Sequence, residues 1–220
     1  MNQKVKQLIK NKKNLAENEV KELLNAYNIN TTDFVVLKKN ESVETLPFDF
    51  PVALKVCSNQ ILHKTDVGGV KLNITSMQEL QKEIKQFQKK FPGENLLIDH
   101  MVEKGVEVII GLIKDPTFGL SIMVGVGGIY TEVYQDVSFR VIPIDEYDAR
   151  EMIEEVKGKK LLEGFRNIKA DKQQVIELLL HVSRLGSDLI RVLDQMDLNP
   201  VFIYEHGYCV VDAKMILKEE

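Results

Sequence analysis

At 220 residues, 44% hydrophobic and 28% charged, the chain has the mass for one large domain or two small lobes and enough apolar content to bury a core. A formal net charge of −4 argues against a general nucleic-acid binder, which needs a clustered cationic excess. No apolar run approaches the roughly 20 residues that cross a bilayer, and the N-terminus carries no apolar signal core, so the expectation is a cytoplasmic protein.

In chain order, Val5, Leu8 and Ile9 share one helical face among the lysines between Lys4 and Lys13, which reads as a short helix with a solvated side. Val20, Leu23, Leu24 and Tyr27 form a second helical stripe, and Asn28 suits the left-handed cap that ends it. The start of that helix, Ala16-Glu17-Asn18-Glu19, offers no Ser or Thr cap, a deficit of about 1 kcal/mol that is expected to touch no chemistry.

Residues 51–74, PVALKVCSNQILHKTDVGGVKLNI, read as two strands with a loop between them. Lys55 lies on the first strand, and Val70, Leu72 and Ile74 alternate along the second. Gly68 and Gly69 can bring backbone N–H groups close to an anion, because no Cβ stands in the way and positive φ costs little. Lys55 adds a compact positive charge, and His63 a nucleophile able to carry a phosphoryl group. The segment is therefore a candidate phosphate-handling hairpin; a plain Gly-Gly turn beside a surface histidine stays the bland alternative.

Ser76 with Glu79 predicts a capping box opening a helix that turns Leu80, Ile84 and Phe87 inward. Strands are predicted over 96–99, 106–113, 121–126, 139–142, 196–203 and 208–213. The 3,4 spacing of Val175, Leu178, Leu179, Val182, Leu185, Leu189 and Val192 predicts a helix of about five turns. Helices mixed with hairpins fit an α+β protein with largely antiparallel sheets. A lobe boundary is expected near 99–105, dividing a smaller lobe over 20–98 from a larger one built of 1–19 and 99–220. Cys57 and Cys209, far apart and outside any CxxC pattern, read as small buried hydrophobes.

Two further segments carry candidate chemistry. An unbulged hairpin turning at Glu205, His206 and Gly207 sets Asn199 across from Asp212, with Cβ atoms roughly 5 Å apart on one face. An amide oxygen facing a carboxylate suits Mg²⁺, which takes a few hard oxygen ligands and leaves other positions to water and phosphate. Pro200 lacks a ladder donor and so favours an edge strand, and a solvated edge hairpin is the alternative. In residues 111–140, Gly125, Gly127 and Gly128 spell GVGG, yet GxGxxG is not met and no long helix follows, so a dinucleotide fold is disfavoured. Glu107 and Glu132 flank these glycines in otherwise apolar sequence, where an acid wants a cation or hydroxyl partners.

The motifs PVALK, ILHKTDVGGVKLN, DPTFG, GVGGIYTEVYQDVSFR, KKLLEGFR, DLNPVF and VVDAK together resemble the β subunit of ADP-forming acetyl-CoA synthetase, over essentially the whole chain. The resemblance implies an ATP-grasp fold of two α+β lobes with the nucleotide bound between them. It implies Lys55, with Gly68 and Gly69, at the phosphates of ATP or ADP, and the strand end at Asp99, His100 and Met101 as a hinge meeting adenine through its backbone. Glu107 would lie near the ribose, with Gly127, Gly128 and Glu132 in the same nucleotide site. Asn199 and Asp212 match the Mg²⁺ ligands, Asp197 an acid that steadies a phosphohistidine, and His63 a histidine that relays the phosphoryl group. The implied partner is a CoA-binding α subunit with its own phosphorylatable histidine, two α with two β. The reaction implied is acyl-CoA, ADP and phosphate going to carboxylate, CoA and ATP through acyl phosphate; no preference for one acid follows. The alternatives are an ATP-grasp carboxylate–amine ligase and a noncatalytic nucleotide-binding regulatory subunit. The intact His63, Asn199 and Asp212 speak against the second of these.

Overall fold

A computed structural model describes residues 3–10, 12–61, 63–127, 136–164 and 169–218. The chain divides into two units: a larger one of residues 1–15, 20–31 and 104–220, and a smaller one of 16–19 and 32–103. Against the expected division three short segments change sides, and residues 16–19 join the smaller unit, where Glu17 pairs with Lys55 and Lys64. Residues 20–31 join the larger unit, because Val20, Leu23, Leu24 and Ile29 are buried in that unit's core. Residues 99–103 stay with the smaller unit, because Asp99 and His100 complete one of its strands.

In the smaller unit, β1 (Phe34–Leu37), β2 (Val52–Cys57), β3 (Val70–Ile74) and β4 (Asn95–His100) form a four-stranded antiparallel sheet in the order β1-β4-β2-β3. Helix α1 (Gln3–Ile9) and helix α2 (Glu17–Ala26) precede it, and α3 (Met77–Lys90) follows β3. Leu80, Ile84 and Phe87 of α3 pack with Val52, Leu54, Leu96 and Ile98, one face of the sheet. Ser76 Oγ accepts the Glu79 amide at 3.3 Å as expected, but the Glu79 carboxylate reaches back to the amide of Thr75 at 3.1 Å, one residue beyond a capping box.

The larger unit holds a six-stranded sheet, β10-β8-β5-β6-β7 with β9 paired to β8. Its strands are β5 (Val106–Asp115), β6 (Gly119–Val126), β7 (Val137–Val141), β8 (Leu193–Ile203), β9 (Tyr208–Val210) and β10 (Ala213–Leu217). Helices α4 (Glu146–Glu155) and α5 (Lys172–Leu189), with a 3₁₀ turn at Lys157–Glu163 between them, cover one face. Period-2 alternation explains the arrangement: Val108, Ile110 and Leu112, Ile122 and Val124, Met196 and Leu198 all enter the core with α5. Glu107, Ile109 and Gly111, Asp197 and Asn199 take the opposite face by the same alternation.

Asn28 takes the left-handed conformation foreseen for it, at φ 60°. The strand expected over 208–213 is instead two, broken at 211–212. Pro200 is not at an edge, since β8 lies between β5 and the β9/β10 pair. Val108 pairs with Val201 and Ile110 with Leu198, so Asn199 and Pro200 together oppose the single residue Ile109, and the bulge accommodates the missing donor. Cys57 is buried as expected, whereas Cys209 is only half-buried. Among the described residues no helix is long and apolar enough to cross a membrane.

Candidate functional site

The smaller unit concentrates buried charge around Lys55. Antiparallel register sets Lys55 against Leu97 and Ala53 against Asp99, which makes Lys55 and Asp99 diagonal neighbours on the face away from α3. Lys55 is 5% exposed, and its Nζ lies 2.6 Å from Glu17 Oε1 and 2.7 Å from Asp99 Oδ2. Asp99 Oδ1 accepts the Thr32 hydroxyl at 2.5 Å, and the second Glu17 oxygen pairs with the Lys64 ammonium. Such burial is tolerable only because the charges are paired, since an isolated buried ion costs several kcal/mol.

Glu17 is the buried charged residue that the sequence reading missed. The helix start that contains it was expected to touch no chemistry; instead Glu17 is 4% exposed and holds two lysines. The signal was present, because Glu17 stands three and seven residues before Val20 and Leu24 and so shares their inward face. The absent Ser or Thr cap is partly replaced by Glu19, whose carboxylate accepts the Ala16 amide at 3.0 Å.

The loop after β2 also departs from expectation. Gly69 N–H donates to Lys64 O at 2.7 Å and Gly68 N–H to Thr65 O at 2.9 Å, so neither amide is directed at an anion. The glycines serve closure instead: Gly68 has φ 60°, and a Cβ on Gly69 would meet Val56 Cγ1 at 2.6 Å. Lys90 of α3 ties the loop from outside, donating to Gly68 O at 3.1 Å. His63 is exposed in the middle of the loop, directly before the anchored Lys64.

At the end of β4, His100 N–H donates to Asp33 O at 2.9 Å and Met101 N–H to Pro51 O at 3.1 Å. The His100 ring stacks on Phe48 with centroids 5.4 Å apart, and Met101 Sδ accepts the Asn73 amide at 3.1 Å. The amides of His100 and Met101, two of the three expected hinge residues, are therefore engaged.

In the larger unit, Val201 faces Val210 and Leu198 faces Ala213, an unshifted register that sets Asn199 across from Asp212. Asn199 N–H donates to Asp212 O at 3.1 Å, and Val211 N–H to Pro200 O at 3.0 Å. The register carries no bulge at the turn, as the pairing requires; Gly207, at φ 82°, closes it with its carbonyl accepting from Tyr204 N–H at 3.1 Å. Asp197 lies two residues along β8, between Lys214 of β10 and Gly111 of β5. All four polar residues, Asp197, Asn199, Asp212 and Lys214, are half-buried on the face away from the helices. Glu107, also half-buried, faces Phe202 on β8, and its carbonyl accepts the Gly127 amide at 2.9 Å. Gly128 and Glu132 lie outside the described residues. Among those described, no cluster of three or more His, Cys, Asp or Glu could hold a metal by itself. A two-oxygen set such as Asn199 with Asp212 nevertheless fits Mg²⁺, which keeps several waters and substrate oxygens.

Comparison with known proteins adds the lineage. Residues 6–217 match the ATP-grasp domain family. The chain is 43% identical over 218 residues to the β subunit of acetate–CoA ligase [ADP-forming] II of Pyrococcus furiosus, covering 93% of this chain and 92% of that one. It is 41% identical over 207 residues to acetate–CoA ligase [ADP-forming] II of Archaeoglobus fulgidus, covering 93% of this chain but only 30% of that longer one. Among solved structures it resembles the dinucleotide forming acetyl-coenzyme A synthetase 1 of Ca. Korarchaeum cryptofilum, determined with coenzyme A and Mg-AMPPCP, at TM-score 0.81 and 37% identity over 97% of this chain and all of that one.

Proposed function

Because the chain belongs to the ATP-grasp family and, within it, to the β subunits of ADP-forming acetate–CoA ligases, we propose that it is the nucleotide-binding subunit of an ADP-forming acyl-CoA synthetase. The reaction is acyl-CoA, ADP and phosphate to carboxylate, CoA and ATP, worked together with a CoA-binding α subunit in a complex of two α and two β. The single observation that carries this reading is the near full-length match to a relative named as a β subunit. Asn199 opposite Asp212 and Lys55 beside the His63 loop supply residues suited to the chemistry.

In this reading Lys55 is a fixed cationic point for the nucleotide phosphates, because two carboxylates hold its ammonium in one place. The strand end at Asp99, His100 and Met101 meets adenine through carbonyls or the backbone beyond, the amides of His100 and Met101 being engaged. Glu107 serves the ribose, and Gly127, Gly128 and Glu132 belong to the same nucleotide site. Asn199 and Asp212 would hold Mg²⁺, which when bound offsets the negative charge of the phosphates. Gly68 and Gly69 shape the loop instead of cradling the anion.

His63 relays the phosphoryl group. Phosphate displaces CoA from the acyl group to give acyl phosphate, and a histidine of the α subunit takes the phosphoryl group and frees the carboxylate. The imidazole of His63 then accepts it, and an oxygen of the ADP β-phosphate attacks phosphorus while the P–N bond breaks. Asp197 steadies a charged phosphohistidine. Splitting one long reach into short in-line steps makes each a near-attack geometry.

The test is to incubate the chain and its CoA-binding partner with γ-labelled ATP and Mg²⁺, and to seek an acid-labile, base-stable phosphate on each chain. Label on both chains is expected. Label confined to the partner, with normal turnover by a His63→Ala complex, would remove the relay.

A further inference from the structure

We propose that Glu17 is a positioning residue that couples the phosphate-binding Lys55 to the His63 loop, an inference that rests on the roles given to Lys55 and His63 above. The two oxygens of its carboxylate serve different lysines: Oε1 takes Lys55 Nζ at 2.6 Å, and Oε2 takes Lys64 Nζ. Lys55 is held from its other side by Asp99, itself held by Thr32. The result is one continuous polar chain, Thr32–Asp99–Lys55–Glu17–Lys64, ending one residue from His63. Its exposure is low from Thr32 to Glu17, with Thr32 and Asp99 at 2%, Lys55 at 5% and Glu17 at 4%, and rises to 14% at the Lys64 side chain.

Three features make this more than an ordinary ion pair. First, a carboxylate shared by two ammoniums brings like charges to a separation that neither lysine would adopt alone, so the anion sets where both stand. Second, Lys64 is fixed at its backbone too, since its carbonyl accepts the Gly69 amide at 2.7 Å and Lys90 holds Gly68. Lys64 thus joins the loop's own hydrogen bonds to the buried ion pairs, so its side chain and its backbone together set where the adjacent His63 stands. Third, Glu17 sits in the first turn of α2, where the helix dipole favours a negative group. Glu17 touches neither nucleotide nor phosphohistidine in this account; it acts through the two lysines.

The experiment compares the full-length chain carrying Glu17→Gln, Glu17→Asp, Lys64→Gln or Lys55→Gln, using Mg-ADP for affinity and γ-labelled ATP with the partner chain for His63 phosphorylation. Circular dichroism fixes a temperature at which each variant is folded. Loss of charge in Glu17→Gln should weaken Mg-ADP binding about tenfold and slow His63 labelling by about a hundredfold, because an ångström of misplacement costs transfer more than binding. Glu17→Asp, which keeps the charge and shortens the reach, should recover part of both. Lys64→Gln should slow labelling while leaving affinity within about twofold, a split that general destabilisation does not produce.

Wild-type affinity and labelling in folded Glu17→Gln would overturn the positioning role, and loss of affinity in Lys55→Gln alongside would show that the phosphate site itself stands. Wild-type Mg-ADP affinity in Lys55→Gln would overturn both. Should Glu17→Gln fail to fold, the Glu17→Asp and Lys64→Gln pair decides: equal losses in affinity and labelling from both would contradict the coupling.

Discussion

The two units hold their candidate groups by opposite means. In the smaller unit, Lys55, Glu17 and Asp99 are buried side chains whose positions depend on one another through ion pairs. In the larger unit, Asp197, Asn199 and Asp212 are half-buried, and main-chain pairing of β8 with its neighbours brings them together. A group placed by backbone register survives loss of its neighbour's side chain; a group placed by a buried ion pair does not. Substitutions in the larger unit should therefore read as chemistry, and those in the smaller unit as chemistry mixed with geometry.

The largest effect that sharpens this contrast belongs to His63, which is exposed and makes no contribution to either core. His63→Ala should lower ATP formation by the assembled complex at least about a thousandfold while Mg-ADP binding and stability stay near wild type. Calorimetric binding beside a turnover assay checks this, and a joint fall in stability and affinity would make the residue structural. Next comes Asp212→Asn, which keeps shape and the Asn199 N–H contact to the Asp212 carbonyl but removes the charge. Mg²⁺-dependent nucleotide affinity should drop roughly tenfold or more with unchanged unfolding; an unaltered Mg²⁺ titration would take the hairpin out of the site.

Two smaller effects test whether the larger unit's scaffold is as independent of its polar site as the contrast requires. Asp136 accepts the amides of Lys157 and Gly158 at 2.9 Å each, capping the 3₁₀ turn. Asp136→Ala should cost about 1 kcal/mol in urea unfolding, in the range of other lost caps, with nucleotide affinity retained. Smaller still is the Glu155 cluster, where Arg140, then Ser138, hold the carboxyl of Glu155 down at about 2. A depressed carboxyl contributes stability that is present above its unfolded value near 4.5 and lost as pH falls toward about 2. Because Glu155 is half exposed, the contribution is screened to well under ~1 kcal/mol. Arg140→Ala should therefore flatten the acid limb of a melting-temperature profile between those values and leave the neutral region little changed.

Much of this was legible in the residues. The apolar period of α5 and the alternation of β5, β6 and β8 carry their own burial, so the antiparallel α+β architecture follows from local pattern. The Asn199–Asp212 pairing was legible for the same reason, since hairpin register depends on turn length and on which face is apolar. The rest was set by long-range contacts. Nothing near Pro200 announces that β5 opposes two β8 residues with one. Glu17 went unnoticed because its partners, Lys55 and Lys64, are 38 and 47 residues away.

The central claim is that this chain carries nucleotide chemistry that completes acyl-CoA conversion only with a CoA-binding partner. It is tested most directly by measuring ATP formation from ADP and phosphate across a panel of acyl-CoAs, with the purified chain alone and after co-expression with that partner. The account predicts Mg-ADP binding but no acyl-CoA turnover by the chain alone, and CoA release matched by ATP formation in the complex. Robust turnover by the isolated 220-residue chain, or an inactive complex whose β component still binds Mg-ADP, would contradict it.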